Sequence, residues 1–197
     1  MSATTTLRQQ DPVMKNLIAK YGELTLTKSK DYFADLASSI VGQQLSAKAA
    51  STIWGRVTTL LGGEITATKA LSIEDEAYRQ AGCSTSKTRY IKALAQAVSE
   101  NTLRFEELAD LDNEAVIERL TTVKGIGRWT AEMFLIFSLA RPDVFSFGDG
   151  GLKSAMDKLY GGMLSRKRIE EITDKWKPYR SYASLYLWAS LDNKEKK

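Results

Sequence analysis

The feature that most constrains the fold of this chain is a Gly-x-Gly turn, Gly125 to Gly127, followed directly by an apolar segment. The segment predicts a helix over Thr130 to Ala140, which Pro142 then stops because proline cannot continue the backbone hydrogen bonding. Such a turn at a helix start presents free backbone N–H groups and the positive end of the helix dipole. The pattern therefore predicts a turn that binds phosphate groups.

Two observations narrow the kind of phosphate ligand. The turn has no lysine cradle and no neighbouring predicted β-strand, which argues against a P-loop or a Rossmann turn. The turn fits binding to the phosphates of a DNA backbone better, because such contacts hold a duplex without reading its sequence. On the loop beyond the predicted helix, Asp149 lies between Gly148 and Gly150 and is the first candidate for chemistry.

Helical periodicity dominates the rest of the chain, so the predicted fold class is all-α. Asp11 and Ser46 are placed to cap helices, and Ser72 with Asp75 resembles a capping box. Strand-like alternation is confined to Leu24 to Thr27. Apolar stripes and helix signals predict helices over Pro12–Tyr21, Tyr32–Val41, Ser46–Leu60, Tyr90–Val98, Val116–Leu120, Leu152–Tyr160, Lys167–Trp176 and, starting at Pro178, up to Leu191.

Composition excludes several classes of chemistry. A chain of 197 residues with 43% hydrophobic content can bury a real core as one or two small lobes. Histidine is absent, which excludes Ser-His-Asp catalysis and histidine-bound zinc. A single cysteine, Cys83, cannot form an internal disulfide or hold a four-cysteine iron–sulfur cluster. The net charge of +4 permits nucleic-acid binding without requiring it.

The sequence also bears on location. The N-terminal residues lack the apolar core of a signal peptide, and no apolar run is long enough to span a membrane. We therefore expect a protein that is not secreted and has no membrane partner. It would work in the cytoplasm, at the nucleoid, of a bacterium or archaeon, or in the nucleus of a eukaryote.

Four segments in order carry a family resemblance. The motif L-x-x-V-K-G-I-G-R-W-T-A-E, from Leu120 to Glu132, resembles the hairpin of the helix-hairpin-helix DNA glycosylases. It is most similar to their alkylpurine branch, the bacterial 3-methyladenine DNA glycosylase II and its yeast relatives. Asp11–Gly22 resembles the opening helix of that family, Ile40–Ala50 its DNA-wedge segment and Trp176–Trp188 its closing helix. The resemblance covers about residues 11 to 191.

The resemblance implies a two-lobed all-α fold with the active-site cleft between the lobes. Residues 1–197 would form one compact glycosylase unit without an N-terminal β-domain. Its helix-hairpin-helix would span about residues 113–140, and its N- and C-terminal helices would share a lobe. The implied function is a monomeric, monofunctional DNA glycosylase that flips out and hydrolyses alkylated purines, such as 3-methyladenine and 7-methylguanine, from double-stranded DNA. No cofactor and no iron–sulfur cluster is implied.

Asp149 is the expected catalytic residue. Splitting an N-glycosidic bond builds positive charge on the sugar, which a nearby carboxylate stabilises. An alkylated base already carries positive charge and leaves without strong protonation, so one carboxylate can suffice. Alternatively, Asp149 only caps the following helix; both roles are compatible, because a helix N-terminus keeps a carboxylate ionised.

The loop before Asp149 departs from the family pattern. The family usually has Pro-x-Asp-Asp, with the second Asp catalytic, whereas this chain has Ser146-Phe147-Gly148-Asp149. The proline and the first Asp are lost and the second carboxylate is kept. The altered loop therefore bears on rate and substrate range more than on the identity of the catalytic residue.

The resemblance also assigns a base pocket. Trp129 stands where lyase relatives carry their Schiff-base lysine, which implies hydrolysis by water and an unbroken strand. Trp129 and Trp188 match aromatic pocket positions, where a cationic base lies against electron-rich rings. Met133 and Tyr179 would line the same cavity. Without the resemblance, aromatic residues at helical spacing are more often core, and this reading is preferred for Trp54 and Trp176.

DNA contacts are expected at two places. At the hairpin these are Gly125, Gly127 and Thr130, flanked by Lys124 and Arg128 as phosphate ligands, although Lys124 could equally be a solvated surface charge. The turn before the third predicted helix would supply the side chain that fills the hole left by the flipped base. Gln44 is favoured as this wedge, with Leu45, Ser46 and Gln43 as rivals; two glutamines capping adjacent helices is the alternative.

Three hypotheses about function remain, and the resemblance also predicts one cation site. By resemblance, the backbone carbonyls of Thr121, Val123 and Ile126 would hold Na⁺ or K⁺. An oxidised-base or mismatch glycosylase is disfavoured by the missing lysine and cluster cysteines. A helix-hairpin-helix DNA-binding protein without activity is disfavoured by the retained Asp149 and the two pocket tryptophans. The preferred lesion is not settled by the sequence.

Overall fold

The computed structural model describes residues 2–192, and this part of the chain is all-helical without a β-strand. The predicted fold class is confirmed. In chain order the α-helices are α1 (Ala3–Gln10), α2 (Pro12–Tyr21), α3 (Tyr32–Gly42), α4 (Ala47–Leu60), α5 (Ala67–Ser72), α6 (Asp75–Gln80), α7 (Thr85–Ser99), α8 (Asn113–Thr121), α9 (Arg128–Met133), α10 (Gly150–Tyr160), α11 (Arg166–Thr173) and α12 (Arg180–Asp192). Short 3₁₀-helices span Phe105–Ala109 and Asp174–Trp176, and a π-helical segment spans Phe134–Ser138.

The chain divides into two compact units. One is continuous, Ser29–Phe134, and contains α3 to α9. We call it the hairpin unit, because α8, α9 and the turn between them belong to it. Its core is formed by fully buried apolar side chains from most of its helices, namely Leu36, Ile40, Val57, Tyr78, Leu94, Leu108 and Leu120.

The other unit is discontinuous and joins the chain up to Lys28 with the chain from Leu135 onward. We call it the terminal unit; it contains α1, α2 and α10 to α12. Its core packs Met14 and Ile18 of α2 with Leu152 of α10, with Trp176, and with Tyr186 of α12.

Asp11 forms hydrogen bonds with three segments of the terminal unit. Its side chain is 4% exposed and caps α2, with Oδ1 accepting the Val13 N–H at 2.8 Å. Its other oxygen accepts the Tyr160 hydroxyl at 2.8 Å and the Trp176 indole N–H at 2.9 Å. The capping role predicted for Asp11 is confirmed, and the buried carboxylate is stabilised by hydrogen bonds from distant parts of the sequence.

The helix after the Gly-x-Gly turn differs from its prediction at both ends. It starts at Arg128 and passes from α9 into the π-helical segment, which ends at Ser138. The chain leaves the helix through Ala140, whose φ of +53° is left-handed, and the Arg141 N–H bonds the Leu135 carbonyl at 2.9 Å. The helix thus ends before Pro142, by a change of backbone hand.

Several local predictions were wrong. Ser72 does not cap a helix: it is the last residue of α5, and its hydroxyl donates to the Lys69 carbonyl. The following helix, α6, has Glu74 as its N-cap residue and no side-chain cap. The last helix begins at Arg180, two residues after Pro178, and the segment from Leu24 to Thr27 is not a strand.

No helix in the described range is long and apolar enough to cross a bilayer.

Candidate active site

Asp149 lies immediately before α10 and acts as its N-cap. Its Oδ1 accepts the Leu152 N–H at 2.7 Å, and the residue is 9% exposed. The positive end of the α10 dipole faces the carboxylate at this position. The predicted cap is therefore present, and it leaves a charged group suited to stabilising a nearby cation.

Trp188 of α12 contacts the same carboxylate oxygen. Its indole Nε1–H donates to Asp149 Oδ1 at 3.0 Å. One oxygen of Asp149 thus accepts hydrogen bonds from two helices, α10 and α12. From the sequence Trp188 is expected only as a wall of the base pocket; its role as a partner of the carboxylate was not predicted.

A cavity of about 340 Å³ adjoins Trp188 within the terminal unit. Phe137 stands beside the indole, with ring centroids 5.5 Å apart at an interplanar angle of 33°, and is 49% exposed. The remaining lining is largely aliphatic, and the complete set is Leu24, Thr25, Phe137, Leu185, Trp188 and Ala189. An apolar cavity with aromatic walls is suited to a planar ring.

Of the six residues that line this cavity, sequence reasoning predicted only Trp188. Leu24 is held next to α12 because its N–H donates to the Tyr186 hydroxyl at 3.1 Å, and that hydroxyl donates to the Gly22 carbonyl at 2.9 Å. No local pattern signals a contact across so many residues. Phe137 lies in a run of apolar residues, and such a run does not indicate which of its members is exposed.

Tyr179 does not line this cavity. It precedes α12 and stands nine residues before Trp188, roughly 13 Å along a helix axis. Its ring packs edge-on against Tyr182, with centroids 6.1 Å apart. Tyr179 is thus not among the residues that line the cavity at Trp188, and its pocket role stays a prediction.

The loop that departs from the family pattern is held by packing of Phe147. Its ring lies edge-on to Phe145, with centroids 4.9 Å apart, and the Arg166 guanidinium lies over the Phe147 ring, 3.6 Å from its centroid. Ser146 is fully buried and its carbonyl accepts the Asp149 N–H at 3.1 Å. An aromatic ring that contacts an aromatic neighbour and a cation fixes the backbone that leads into Asp149.

In the hairpin unit, the two glycines of the turn differ in backbone conformation and in the space that a side chain would have. Gly125 has φ of +97°, and a Cβ there would overlap the ring of Tyr90. Gly127 has φ of −93°, which any residue adopts, and a Cβ there would meet no atom within 4 Å. The fold therefore requires glycine at 125 and leaves open space at 127.

That open space lies at the start of α9. Gly127 is its N-cap residue and provides no side-chain cap. Helix starts carry backbone N–H groups that the helix itself does not satisfy. Lys124 beside the turn is exposed and forms no ion pair with any described residue. The geometry suits an anion that approaches the backbone at Gly127.

Arg128 has another task. Its guanidinium forms two bonds with Glu114 of α8, at 2.9 and 2.6 Å, and one with Glu132 of α9 at 3.0 Å. These pairs raise the pKa of Arg128 and lower that of Glu114. Arg128 thus connects the two hairpin helices, which argues against it as a phosphate ligand. Thr130 is 3% exposed, so its side chain offers almost no surface to DNA.

The wedge candidates separate into two groups. Gln43 donates from Nε2 to the Gly125 carbonyl at 2.9 Å and so connects this loop to the hairpin turn. Ser46 caps α4 through a bond from the Ala49 N–H. Gln44, with φ of +57°, and Leu45 are exposed at the tip of the loop. The geometry leaves these two as the wedge candidates.

Trp129 and Met133 lie one turn apart on α9. Trp129 is 45% exposed, unlike the fully buried Trp176. Trp54 is only half-buried, so its predicted core role holds in part. Trp129 thus presents part of its indole at the surface of the hairpin unit.

The comparisons with known proteins agree with this geometry. Residues 37–178 match the family described as HhH-GPD superfamily base excision DNA repair protein. DNA-3-methyladenine glycosylase 1 of Schizosaccharomyces pombe is 32% identical over 87% of this chain and 78% of its own length.

Solved structures are similar over nearly the whole chain. The DNA-3-methyladenine glycosidase of Bacillus halodurans is 42% identical with a TM-score of 0.86, covering 98% of this chain and 90% of that one. The S. pombe 3-methyladenine DNA glycosylase in complex with abasic DNA is 31% identical, with a TM-score of 0.87 and 96% coverage of both chains. With the helical hairpin and the capped carboxylate, these matches show that the chain belongs to the HhH-GPD superfamily of base excision DNA repair proteins.

Proposed function

We propose that this protein is a monofunctional DNA glycosylase that excises alkylated purines, such as 3-methyladenine and 7-methylguanine, from double-stranded DNA. The observation that carries the proposal is Asp149: a carboxylate held by the N–H of Leu152 and the indole of Trp188, next to an apolar aromatic cavity. The names of the relatives in yeast and bacilli support the same substrate class. The protein then works where the DNA is, at the nucleoid or in the nucleus.

The chemistry follows from the groups present. An alkylated purine carries positive charge, so it departs with the electrons of the glycosidic bond without an acid catalyst. The sugar becomes cationic, and the Asp149 carboxylate stabilises that charge until water adds. No imidazole is needed, in keeping with a chain that contains no histidine. The aromatic walls formed by Trp188 and Phe137 favour a cationic ring over a neutral one.

DNA binding is assigned to the hairpin unit. The backbone at Gly127 and the start of α9 receive a phosphate, Lys124 adds a positive charge, and Gln44 or Leu45 enters the duplex. Trp129 and Met133 supply a further apolar contact for the substrate. These roles rest on the open space at Gly127 and on the exposure of the loop and of Trp129.

A monovalent cation is a further part of the proposal. The carbonyls of Thr121, Val123 and Ile126 belong to the hairpin turn, and neutral oxygen donors suit Na⁺ or K⁺ better than a transition metal. Among the described residues, no group of three or more His, Cys, Asp or Glu side chains could hold a metal ion. A cation at these carbonyls would add positive charge where the phosphate approaches.

Asp149→Asn tests the catalytic assignment. The amide still accepts the Leu152 N–H but lacks the charge, so release of 7-methylguanine from methylated duplex should fall roughly a hundredfold or more. Affinity for a duplex with an abasic site should stay nearly unchanged. Full activity of the variant would remove Asp149 from the mechanism, and binding without base release by the wild type would identify a DNA-binding protein without activity.

The same reactions test the absence of lyase chemistry. Trp129 stands where lyases carry a lysine, so the amine that forms the Schiff base in those relatives is missing at this position. The product strand should stay intact until alkali is added, and borohydride should trap no protein–DNA adduct. A strong adduct would contradict the monofunctional assignment.

A further inference from the structure

Two glycines follow Asp149 at the start of α10, and the surroundings constrain only the second. A Cβ at Gly150 would meet no atom within 4 Å. A Cβ at Gly151 would lie 3.1 Å from Asp149 Oδ1, 3.3 Å from Trp188 Cδ1 and 3.4 Å from Trp188 Nε1. Neither glycine has a positive φ, so backbone conformation does not explain either of them.

We propose that Gly151 and Trp188 are positioning residues for the Asp149 carboxylate: the missing side chain at 151 lets the indole N–H reach Oδ1. This inference rests on the proposed function, in which Asp149 stabilises the cationic sugar. It gives Trp188 a second task besides contact with the base, and it gives Gly151 a task that its position in a helix does not suggest.

The second donor matters because a capped carboxylate can still rotate. The torsion that turns a carboxylate group has a broad energy profile, so each hydrogen bond to the group narrows the range of its plane. The Trp188 N–H meets the same oxygen from another helix at 3.0 Å. Two donors on Oδ1 define the direction of the carboxylate, and electrostatic stabilisation depends on that direction.

An added methyl at 151 would have to displace a group of the site. Separations of 3.1 to 3.4 Å are shorter than ordinary carbon contacts, so a neighbour must move by a few tenths of an ångström. The backbone of α10 cannot give way easily, because Leu152 and Ala155 are fully buried in the core. The half-buried indole of Trp188 is the easier group to move, and its movement lengthens the bond to Asp149.

Gly151→Ala with Gly150→Ala as its matched control tests the proposal. Both changes replace a glycine in the first turn of the same helix, but only the first reaches the Trp188–Asp149 bond. We expect Gly151→Ala to lower the single-turnover excision rate roughly tenfold. Gly150→Ala should keep the wild-type rate, and both variants should keep the wild-type melting temperature and affinity for abasic DNA. Equal effects of the two substitutions would overturn the proposal.

Trp188→Phe is the second variant that tests the proposal, because it keeps an aromatic ring and removes the N–H. If both residues act through one hydrogen bond, the double variant should be no slower than Trp188→Phe alone. Independent, multiplying effects in the double variant would contradict the proposal.

A spectroscopic readout separates this proposal from the proposed function. In a spectrum of ¹⁵N-labelled tryptophan side chains, Trp188→Phe identifies the Trp188 signal by its loss. Gly151→Ala and Asp149→Asn should both shift that signal, and Gly150→Ala should leave it in place. An unmoved signal in Gly151→Ala overturns the inference whatever the activity. A shifted signal together with an active Asp149→Asn would support the contact and reject the catalytic role of Asp149.

Discussion

At the scale of single residues, the two glycines of the hairpin turn illustrate how one motif combines two requirements. Gly125 is needed by the fold, through its left-handed backbone and the nearby ring of Tyr90. Gly127 is not needed by the fold, since its backbone is ordinary and its Cβ position is open. Glycine at 127 fits the proposed phosphate contact, in which a ligand comes close to the backbone.

Alanine at each position should separate these requirements. Gly127→Ala should fold with wild-type stability and bind duplex DNA roughly tenfold more weakly, whatever its sequence, because a methyl group obstructs the phosphate. Gly125→Ala should lower the melting temperature, since a positive φ in a non-glycine residue costs about 1–3 kcal/mol before any overlap with Tyr90. Fluorescence anisotropy and thermal melting measure the two effects. Unchanged affinity of Gly127→Ala would mean that this turn does not contact DNA.

The same residues show what a sequence can predict. The Gly-x-Gly motif indicates the hairpin, and Asp149 between glycines indicates a helix start; the helical turn and the cap are both present. The separate reasons for Gly125 and Gly127 depend on Tyr90, which is distant in sequence. The bond from Trp188 to Asp149 and the engagement of Arg128 by Glu114 likewise arise only from tertiary packing.

At the scale of elements, helices with apolar stripes were predictable and helices without them were not. α2, α3, α7 and α8 bury regular stripes, whereas α1 buries only Leu7 and starts at a Ser2 cap. The short α5 buries only Ala70. Where tertiary contacts rather than a stripe stabilise a helix, local sequence carries little signal.

The loop before Asp149 is an element with its own stabilisation. Arg166→Ala removes the cation from the Phe147 ring and should lower the excision rate a few-fold without changing DNA affinity, because the contact of an exposed arginine contributes about 0.5–1 kcal/mol. Arg168→Ala is the matched control: Arg168 lies on the same helix and pairs with Glu171, and Phe147 is contacted by Arg166. Kinetics that separate kcat from KM provide the measurement. Equal rates in the two variants would show that the cation does not position the loop.

At the scale of the whole molecule, Asp11 makes the terminal unit sensitive to alkali. Burial, followed by the charge of Asp11 and the hydrogen bond to it, raises the pKa of Tyr160 above its usual value of 10.0. The folded chain therefore keeps this proton at a pH where the unfolded chain releases it. The resulting stability is complete below pH 10 and is lost as the pH rises above it.

Tyr160→Phe should reduce this loss of folding stability at high pH. Between about pH 10 and 11.5 the wild type should lose up to about 1.4 kcal/mol of unfolding free energy per pH unit more than the variant. Tyr78, whose pKa burial raises to about 12, and Tyr186 stay in both proteins and contribute equally. Urea unfolding at several pH values gives the two curves. Parallel curves would show that Tyr160 does not titrate differently in the two states.

The discontinuous terminal unit also sets an order of events during synthesis. α1 and α2 are made before the hairpin unit, yet Trp176 and Tyr186, which pack in one core with Leu7, Met14 and Ile18, are made after it. The hairpin unit, being continuous, can fold in between with short loop closures, while the early helices wait with their apolar faces uncovered. The apolar faces of α1 and α2 therefore stay open to aggregation until α12 has been made, and the carboxylate of Asp149 gains the indole donor only with that helix.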